Sequence, residues 1–206
     1  MKPATPSHAQ PSQHTIRHTL RQQIRQQRRA LSANEQTQAA HDLLTRFTRS
    51  PTLAQAHHIA LYLAYDGEID TQPLIHWLWQ QGRDVYLPVL HPFSPGHLLF
   101  LHYTPTTPMH TNRYGIAEPK LDVRAVKPAM ALDLICTPLV AFDLLGQRLG
   151  MGGGYYDRTL MQWHQHRQGP RPVGLAHDCQ HVTSLPVEAW DVPLPDILTP
   201  SRHFHW

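Results

Sequence analysis

The chain has 206 residues, 41% of them hydrophobic, which is enough for one sizeable core and, at ordinary domain size, one domain. The formal net charge of +3 is unevenly spread: residues 1–34 hold six basic side chains and no acidic one, while the remainder carries twelve basic against fifteen acidic. That distribution excludes a general polyanion-binding surface and confines the positive excess to the N-terminal segment. Two cysteines, Cys136 and Cys179, can build neither a disulfide framework nor a thiolate zinc site, which points to a reducing, cytoplasmic setting. No run approaches the roughly eighteen apolar residues of a membrane span, so no membrane partner is expected.

Residues 1–14 are polar, bear prolines and lack an apolar signal region, so they read as a disordered tail ahead of a single domain over residues 15–206. A mitochondrial transit reading of the arginine-rich start is the alternative. From Thr15 a helical stripe begins with Ile16, Leu20, Ile24 and Leu31. Arg17, Arg21, Arg25 and Arg28 follow on the neighbouring face, with Arg29 nearer its edge. No local carboxylate is available to these arginines, which favours an external anion over a solvated basic face. Ser32 and Glu35 have the spacing of a capping box, which opens a second helix from Ala33 to about Phe47, before Pro51.

Strands and helices then alternate. Ile59 to Ala64 is a short apolar strand; Thr71 to Gln81 is a helix ended by Gly82. Asp84 to Pro88 and Leu98 to Tyr103 are strands, as is the apolar stretch Leu132 to Phe142, interrupted by Pro138. Tyr155 to His166 is a helix, Pro172 to Ala176 a strand, and Asp196 to Thr199 a terminal strand. This alternation predicts an α/β fold: an open, mostly parallel sheet with helices on both faces, and a ligand site beyond the carboxyl ends of the strands.

Gly146 to Arg158, GQRLGMGGGYYDR, is the segment suited to chemistry. Gly150, Gly152, Gly153 and Gly154 lie within five residues between an apolar strand and a helix. Glycines there let backbone N–H groups approach an anion, and a helix N-terminus adds partial positive charge. Arg148 supplies a cation, and Asp157 a hard oxygen ligand suited to Mg²⁺. A plain glycine turn is the alternative, and the strand–loop–helix setting favours phosphate over it. The pattern is neither a Walker loop nor a dinucleotide fingerprint.

The stretch RLGMGGGYYDR resembles the signature of the 5-formyltetrahydrofolate cyclo-ligase family, also called 5,10-methenyltetrahydrofolate synthetase. The arginine helix leading into RRALS, the segment LYLAYDGEIDT, GIAEP at Gly115 to Pro119, and WDVPLPDILTP resemble further family blocks in the right order, over roughly residues 15–200. The resemblance implies a sheet similar to that of ribose-5-phosphate isomerases and CoA transferases. It also implies ATP- and Mg²⁺-dependent closure of 5-formyltetrahydrofolate to 5,10-methenyltetrahydrofolate, with release of ADP and phosphate.

Carried over by position, the resemblance implies ATP contacts from Arg17 and Arg21, and from the loop Arg148, Gly150, Met151, Gly152, Gly153, Gly154, Tyr155 and Tyr156. Many relatives have lysine at Arg17, and some have an arginine and a lysine where this chain has Met151 and Gly153, so charge neutralisation is expected to lean on Mg²⁺, Arg148 and the first helix. Asp157 and Asp191 match metal-binding aspartates. Leu63, Glu68 and Tyr114 match substrate contacts, Glu68 accepting from the amino–imino edge of the pterin. No protein nucleophile or general base is implied, because the formyl oxygen itself attacks the γ-phosphate.

Two other classes compete with this reading: a nucleic-acid module using the arginine helix, and a phosphosugar isomerase of related fold. The acidic balance of the remaining chain argues against the first, and the glycine loop with both aspartates against the second. Seventeen histidines, including His177, His181, His164/His166 and His203/His205, show no established zinc spacing and are expected to be mostly solvated. Cys179 is not needed as a nucleophile. A monomer is expected.

Overall fold

The computed structural model describes residues 12–206; residues 1–11 of the expected tail lie outside the described residues. Ser12 Oγ accepts from the Thr15 amide and caps α1, Gln13–Arg29, two residues earlier than the apolar stripe suggests. Of that stripe, Ile24 is buried and Leu20 packs beside Val140, Ala141 and Leu149, whereas Ile16 is exposed. Leu31 falls outside the helix, because the chain turns at Ala30 so that Ser32 can cap α2, Ala33–Arg49. The capping box is complete: Ser32 Oγ accepts from the Glu35 amide, and Glu35 Oε2 from the Ser32 amide. A single turn, α3 (Pro51–Ala54), leads to β1, His58–Ala60.

The first strand is shorter than its apolar run. After Ala60 only the Leu61 amide still reaches the sheet, at the Tyr86 carbonyl, and Tyr62 to Ala64 leave it. Then come α4 (Gln72–Gln80), ended at Gly82 with φ +66°, β2 (Asp84–Leu90) and β3 (Leu98–Tyr103). A hairpin of β4 (Met109–Thr111) and β5 (Ala117–Pro119) contains the GIAEP block. After β6 (Val126–Lys127), strand β7 (Leu134–Pro138) stops at its proline, which has no N–H to continue a ladder. A small hairpin, β8 (Ala141–Phe142) with β9 (Arg148–Leu149), precedes α5, Tyr155–His166. The chain ends with β10 (Arg171–Leu175), β11 (Asp196–Leu198) and β12 (His203–His205). Asp196–Leu198 is therefore not terminal: the chain folds back so that Phe204 pairs with Ile197.

The main sheet has the order β12-β11-β10-β7-β1-β2-β3-β6. Strands β11, β10, β7, β1 and β2 pair in parallel, and the antiparallel strands β12, β3 and β6 form its flanks. Alternate side chains feed two cores, as the pleat requires. Ile59, Leu134 and Cys136 pack with Leu43 and Phe47 of α2 and Leu74, Ile75 and Leu78 of α4. Ala60, Ile135 and Ile197 face the other way, toward Leu160 of α5. Helices thus cover both faces. Cys136 is sealed in the first core, where burial pushes its thiol up to about 12, and neither cysteine is in a disulfide.

Candidate functional site

From β1 the chain proceeds to β2 on one side, and from β7 to β10 on the other, so the strand order reverses between β1 and β7. At such a switch point the loops leaving adjacent strands diverge and open a crevice. Here they are Leu61–Thr71, with Leu63 and Glu68, and Leu139–Gly154, with the glycine loop. Arg28, fully buried, ties the two together: Nε donates to the Asp66 carbonyl, Nη2 to Asp66 Oδ2, and Nη1 to the Leu139 carbonyl at 3.3 Å.

The five arginines of α1 divide by partner. Arg17 donates to both oxygens of Asp191, at 2.5 and 3.0 Å, and to the Pro186 carbonyl. Arg25, Arg28 and Arg29 converge on Asp66. Burial by itself would raise that carboxyl, but the three guanidinium hydrogen bonds outweigh it and hold it at about 2. Only Arg21 has no carboxylate partner among the described residues; its Nε donates to the Gly150 carbonyl at 2.8 Å. Burial, then the nearby Arg17, lowers its pKa. The expectation that the whole stripe awaits an external anion is thus corrected. Carboxylates distant in sequence fold back to meet four of the five, including Arg29, and Arg21 alone fits that expectation.

In the glycine loop, Gly152 has φ +102° and Gly154, the cap of α5, φ +65°. The amides of Met151, Gly152, Gly153 and Gly154 donate to no acceptor among the described residues. Arg158 braces the loop from below through the Gly153 carbonyl. Arg148 lies beneath it, its side chain 3% exposed, donating to Asp157 Oδ1 at 2.7 Å. Burial lowers its pKa, offset in part by Asp157. Asp157 Oδ1 also accepts from the Val192 amide, and Oδ2 has no partner among the described residues. Asp191, by contrast, has both oxygens occupied by Arg17, with the Glu188 amide added on Oδ2. One half-buried carboxylate oxygen with a free lone pair fits Mg²⁺, which binds through one or two carboxylates and substrate phosphates. Asp191 fits only when Arg17 lets go.

On the opposite wall, the Tyr65 amide donates to Glu68 Oε2, and Arg28 Nη2 lies 3.8 Å from Oε1. Burial dominates over that cation and raises the carboxyl to about 7. Leu63 is half-buried against the first core. Tyr114, at the tip of the β4–β5 hairpin, shares a 2.9 Å hydrogen bond between hydroxyls with Tyr155, the rings edge to face. Tyr156 turns into the second core instead, where burial raises its pKa.

Comparison with known proteins adds identity to this geometry. The family model for the 5-formyltetrahydrofolate cyclo-ligase family matches residues 13–200. The chain is 56% identical over 179 residues to the 5-formyltetrahydrofolate cyclo-ligase of Escherichia coli K12, covering 87% of this chain and 97% of that protein. The chain belongs to the 5-formyltetrahydrofolate cyclo-ligase family. The cyclo-ligase of Haemophilus influenzae is 54% identical over 168 residues, covering 82% of this chain and 89% of its own. Among solved structures, the 5,10-methenyltetrahydrofolate synthetase of Aquifex aeolicus superposes with a TM-score of 0.78 at 28% identity, covering 92% of each chain.

The structure also brings to this crevice residues that the sequence did not announce. Asp66 and Arg28 organise the crevice; the only signal for Asp66 was a run of arginines without local partners. His177, expected among solvated histidines, is 2% exposed just beyond β10. Burial, then the field of Arg28, lowers it to about 4, and its Nε2 has no partner among the described residues. His203 and His205 pair with Asp196, His205 remaining largely exposed as expected. Among the described residues no group of three or more histidine, cysteine or acidic side chains is arranged to hold a metal ion, and no helix is long and apolar enough to cross a membrane.

Proposed function

We propose that this cyclo-ligase closes 5-formyltetrahydrofolate to 5,10-methenyltetrahydrofolate at the cost of one ATP, with Mg²⁺, at the crevice between β1 and β7. The observation that carries the reading is the run of four amides, Met151 to Gly154, that meet no acceptor among the described residues, at the start of α5 and beside the Gly150 carbonyl that holds Arg21. Free N–H groups at a helix start and a cation without a carboxylate form an anion cradle. ATP phosphates lie there, with Arg148 below, Tyr155 at the helix entrance, the Tyr156 ring turned away into the core, and Arg17 joining once released by Asp191. Asp157 and Asp191 would hold Mg²⁺, which supplies charge neutralisation on the phosphates when bound.

The pterin edge donates to Glu68, while Leu63 and Tyr114 flank the ring system. The formyl oxygen then attacks the γ-phosphorus and ADP leaves. The second folate nitrogen attacks the activated carbon and gives up its proton to solvent, and phosphate departs with the former formyl oxygen. The chain's part is positioning and charge stabilisation. We extend to the protein the kinship with ribose-5-phosphate isomerases and CoA transferases, and a monomeric, cytoplasmic existence. Nucleic acid is no partner in this reading, since four of the five α1 arginines are committed to internal carboxylates.

The test is the absorbance rise of the methenyl product on mixing protein, 5-formyltetrahydrofolate, ATP and Mg²⁺. The rise is expected only when all are present; product formed without ATP, or none with all four, overturns the proposal.

A further inference from the structure

The amino ends of β1 and β2, opposite the crevice, carry polar side chains that the proposed reaction does not use. Strand pairing fixes their common face. His58 stands opposite Asp84 and Tyr86 opposite His102, while Lys127 pairs with Phe100, two residues before His102 on β3. Side chains two apart on a strand, or directly opposite across a pair, share a face, so all five project on the side of the sheet whose core includes Leu160 of α5. Asp84, Tyr86, His102 and Lys127 there line a cleft of about 730 Å³, with Lys120 and Thr104 also in its walls. The chain has three lysines against fifteen arginines, and the two within the described residues both line this cleft.

Their contacts run in a line. His58 Nδ1 lies 3.1 Å from Asp84 Oδ2, and His58 Nε2 lies 3.4 Å from Lys127 Nζ. An ammonium only donates, so Nε2 accepts, and the ring carries its proton on Nδ1 toward the carboxylate. The Tyr86 hydroxyl stands 3.3 Å from Nδ1, and Lys127 crosses the Tyr86 ring with Nζ 5.9 Å from its centroid. A purely stabilising lysine would have Asp84, on the same face, to pair with. That carboxylate is instead engaged by His58 and, at 3.4 Å, by His102, and Lys127 has no carboxylate partner among the described residues. Carboxylate, imidazole and amine in this order form an orienting group, a base and a nucleophile.

We infer that Lys127 is a nucleophilic amine that captures, as an imine, a small aldehyde bearing a phosphate ester. The phosphate is met by Lys120, which also has no carboxylate partner among the described residues, whereas Arg124 is held by Asp122. Lys127 passes one proton from Nζ to His58 Nε2, and its lone pair attacks the carbonyl carbon, forming the C–N bond while the π pair moves to oxygen. That oxygen takes the proton from His58. A second Nζ proton follows the same route as the nitrogen lone pair closes the C=N bond and the hydroxyl leaves as water. Ammonium and aldehyde thus become protonated imine and water, with no other reactant. The inference is independent of the cyclo-ligase reading, since none of these residues belongs to the crevice.

The probe is pyridoxal 5′-phosphate, with borohydride reduction to fix the imine and peptide mass spectrometry to place it. In the intact protein most of the label is expected on Lys127, ahead of Lys2 and Lys120, and pyridoxal without the phosphate should label it more slowly. His58→Gln should slow capture at Lys127 by about a hundredfold, the lower end of what a positioned acid–base group supplies. Asp84→Asn should act in the same direction, and Lys127→Arg should lose that label, with melting temperatures near the parent's showing that the variants fold. Label spread evenly over the three lysines of the intact protein overturns the proposal whether or not the variants fold. An unchanged rate at Lys127 in both His58→Gln and Asp84→Asn overturns the relay, and equal rates with pyridoxal and its phosphate overturn the anionic class.

Discussion

Arg17 and Asp191, at opposite ends of the chain, form a two-armed ion pair whose side chains are only 10% and 7% exposed. In this arrangement the guanidinium is withheld from a phosphate and the carboxylate from a metal. The hydrogen bond to Asp191 raises the Arg17 pKa, so the cation is firmly held. ATP with Mg²⁺ offers both partners a substitute, one anion for Arg17 and one cation for Asp191, so exchange costs less than opening the pair alone. Asp191→Ala should therefore tighten Mg²⁺-free ATP severalfold in calorimetric titration, because the competing carboxylate is gone, while raising the Mg²⁺ needed for turnover. Weaker Mg²⁺-free binding would mean that Asp191 holds Arg17 in its working pose.

Arg21 has no such competitor among the described residues, so its whole charge is available to a nucleotide. Arg21→Ala should raise the KM for ATP by roughly ten- to a hundredfold, the range of a lost hydrogen bond to a charged group, with the KM for folate nearly unchanged. Equal shifts in both would mark a collapse of the Gly150 contact instead.

Gly152 tests the cradle through its backbone. An added Cβ has room, its nearest neighbour being the Arg21 guanidinium carbon at 3.8 Å, so crowding is not the obstacle. The obstacle is φ +102°, which side-chain-bearing residues reach only with strain of about 1–3 kcal/mol. Gly152→Ala should turn the local amides and raise the KM for ATP in steady-state kinetics, while lowering the melting temperature by roughly 2–12 °C, the scale of that strain for a chain of this size. An unaltered KM would reduce the loop to a turn.

Glu68 gives opposite pH trends in stability and binding. Its carboxyl stands at about 7 in the folded chain against 4.5 as the reference, so between those values the native state binds the proton more strongly and stability falls as pH rises. Glu68→Gln should be the more stable protein at pH 8, by on the order of 2 kcal/mol, and close to the parent at pH 5. In the proposed site the pterin edge donates to the ionised carboxylate, so kcat/KM for folate should climb through about pH 7 in the parent and be low and flat in Glu68→Gln. Parallel stability curves, or a parent profile without that rise, would remove Glu68 from the role.

The sheet was legible because its parallel strands are apolar on both faces and the intervening helices carry one-sided stripes. Leu98–Tyr103 and Tyr155–His166 have the bounds read from the sequence. The short hairpins β4–β5 and β8–β9 and the edge strand β12 were not legible: two or three residues pairing at a margin leave no periodicity, and His203–His205 is polar on both sides of Phe204. The glycine loop could be located by composition, yet composition does not say which amides stay free. Ion-pair partners were hidden for a different reason. Arg17 finds Asp191 across nearly the whole chain, and no local pattern encodes a contact made only by the fold.

Asp66 shows how far the crevice depends on such a contact. It sits at φ +57°, a backbone region that aspartate and asparagine tolerate better than most residues, so Asp66→Asn keeps the turn and removes only the charge. Arg28, wholly buried, would then face no ionised partner nearer than Glu68 at 3.8 Å. Removing one member of a buried pair costs about 3 kcal/mol. The wild-type carboxyl, held at about 2, contributes stability that is complete well above its unfolded value near 3.9 and is lost as pH falls through 2. The gap in urea midpoint between parent and Asp66→Asn should therefore be widest at neutral pH and narrow as pH drops from 5 toward 2. Because Asp66 anchors the loop that carries Leu63 and Glu68, the variant should also raise the KM for folate more than that for ATP. A pH-independent gap would assign the loss to loop conformation, and no gap would show that the three arginines need no common anion.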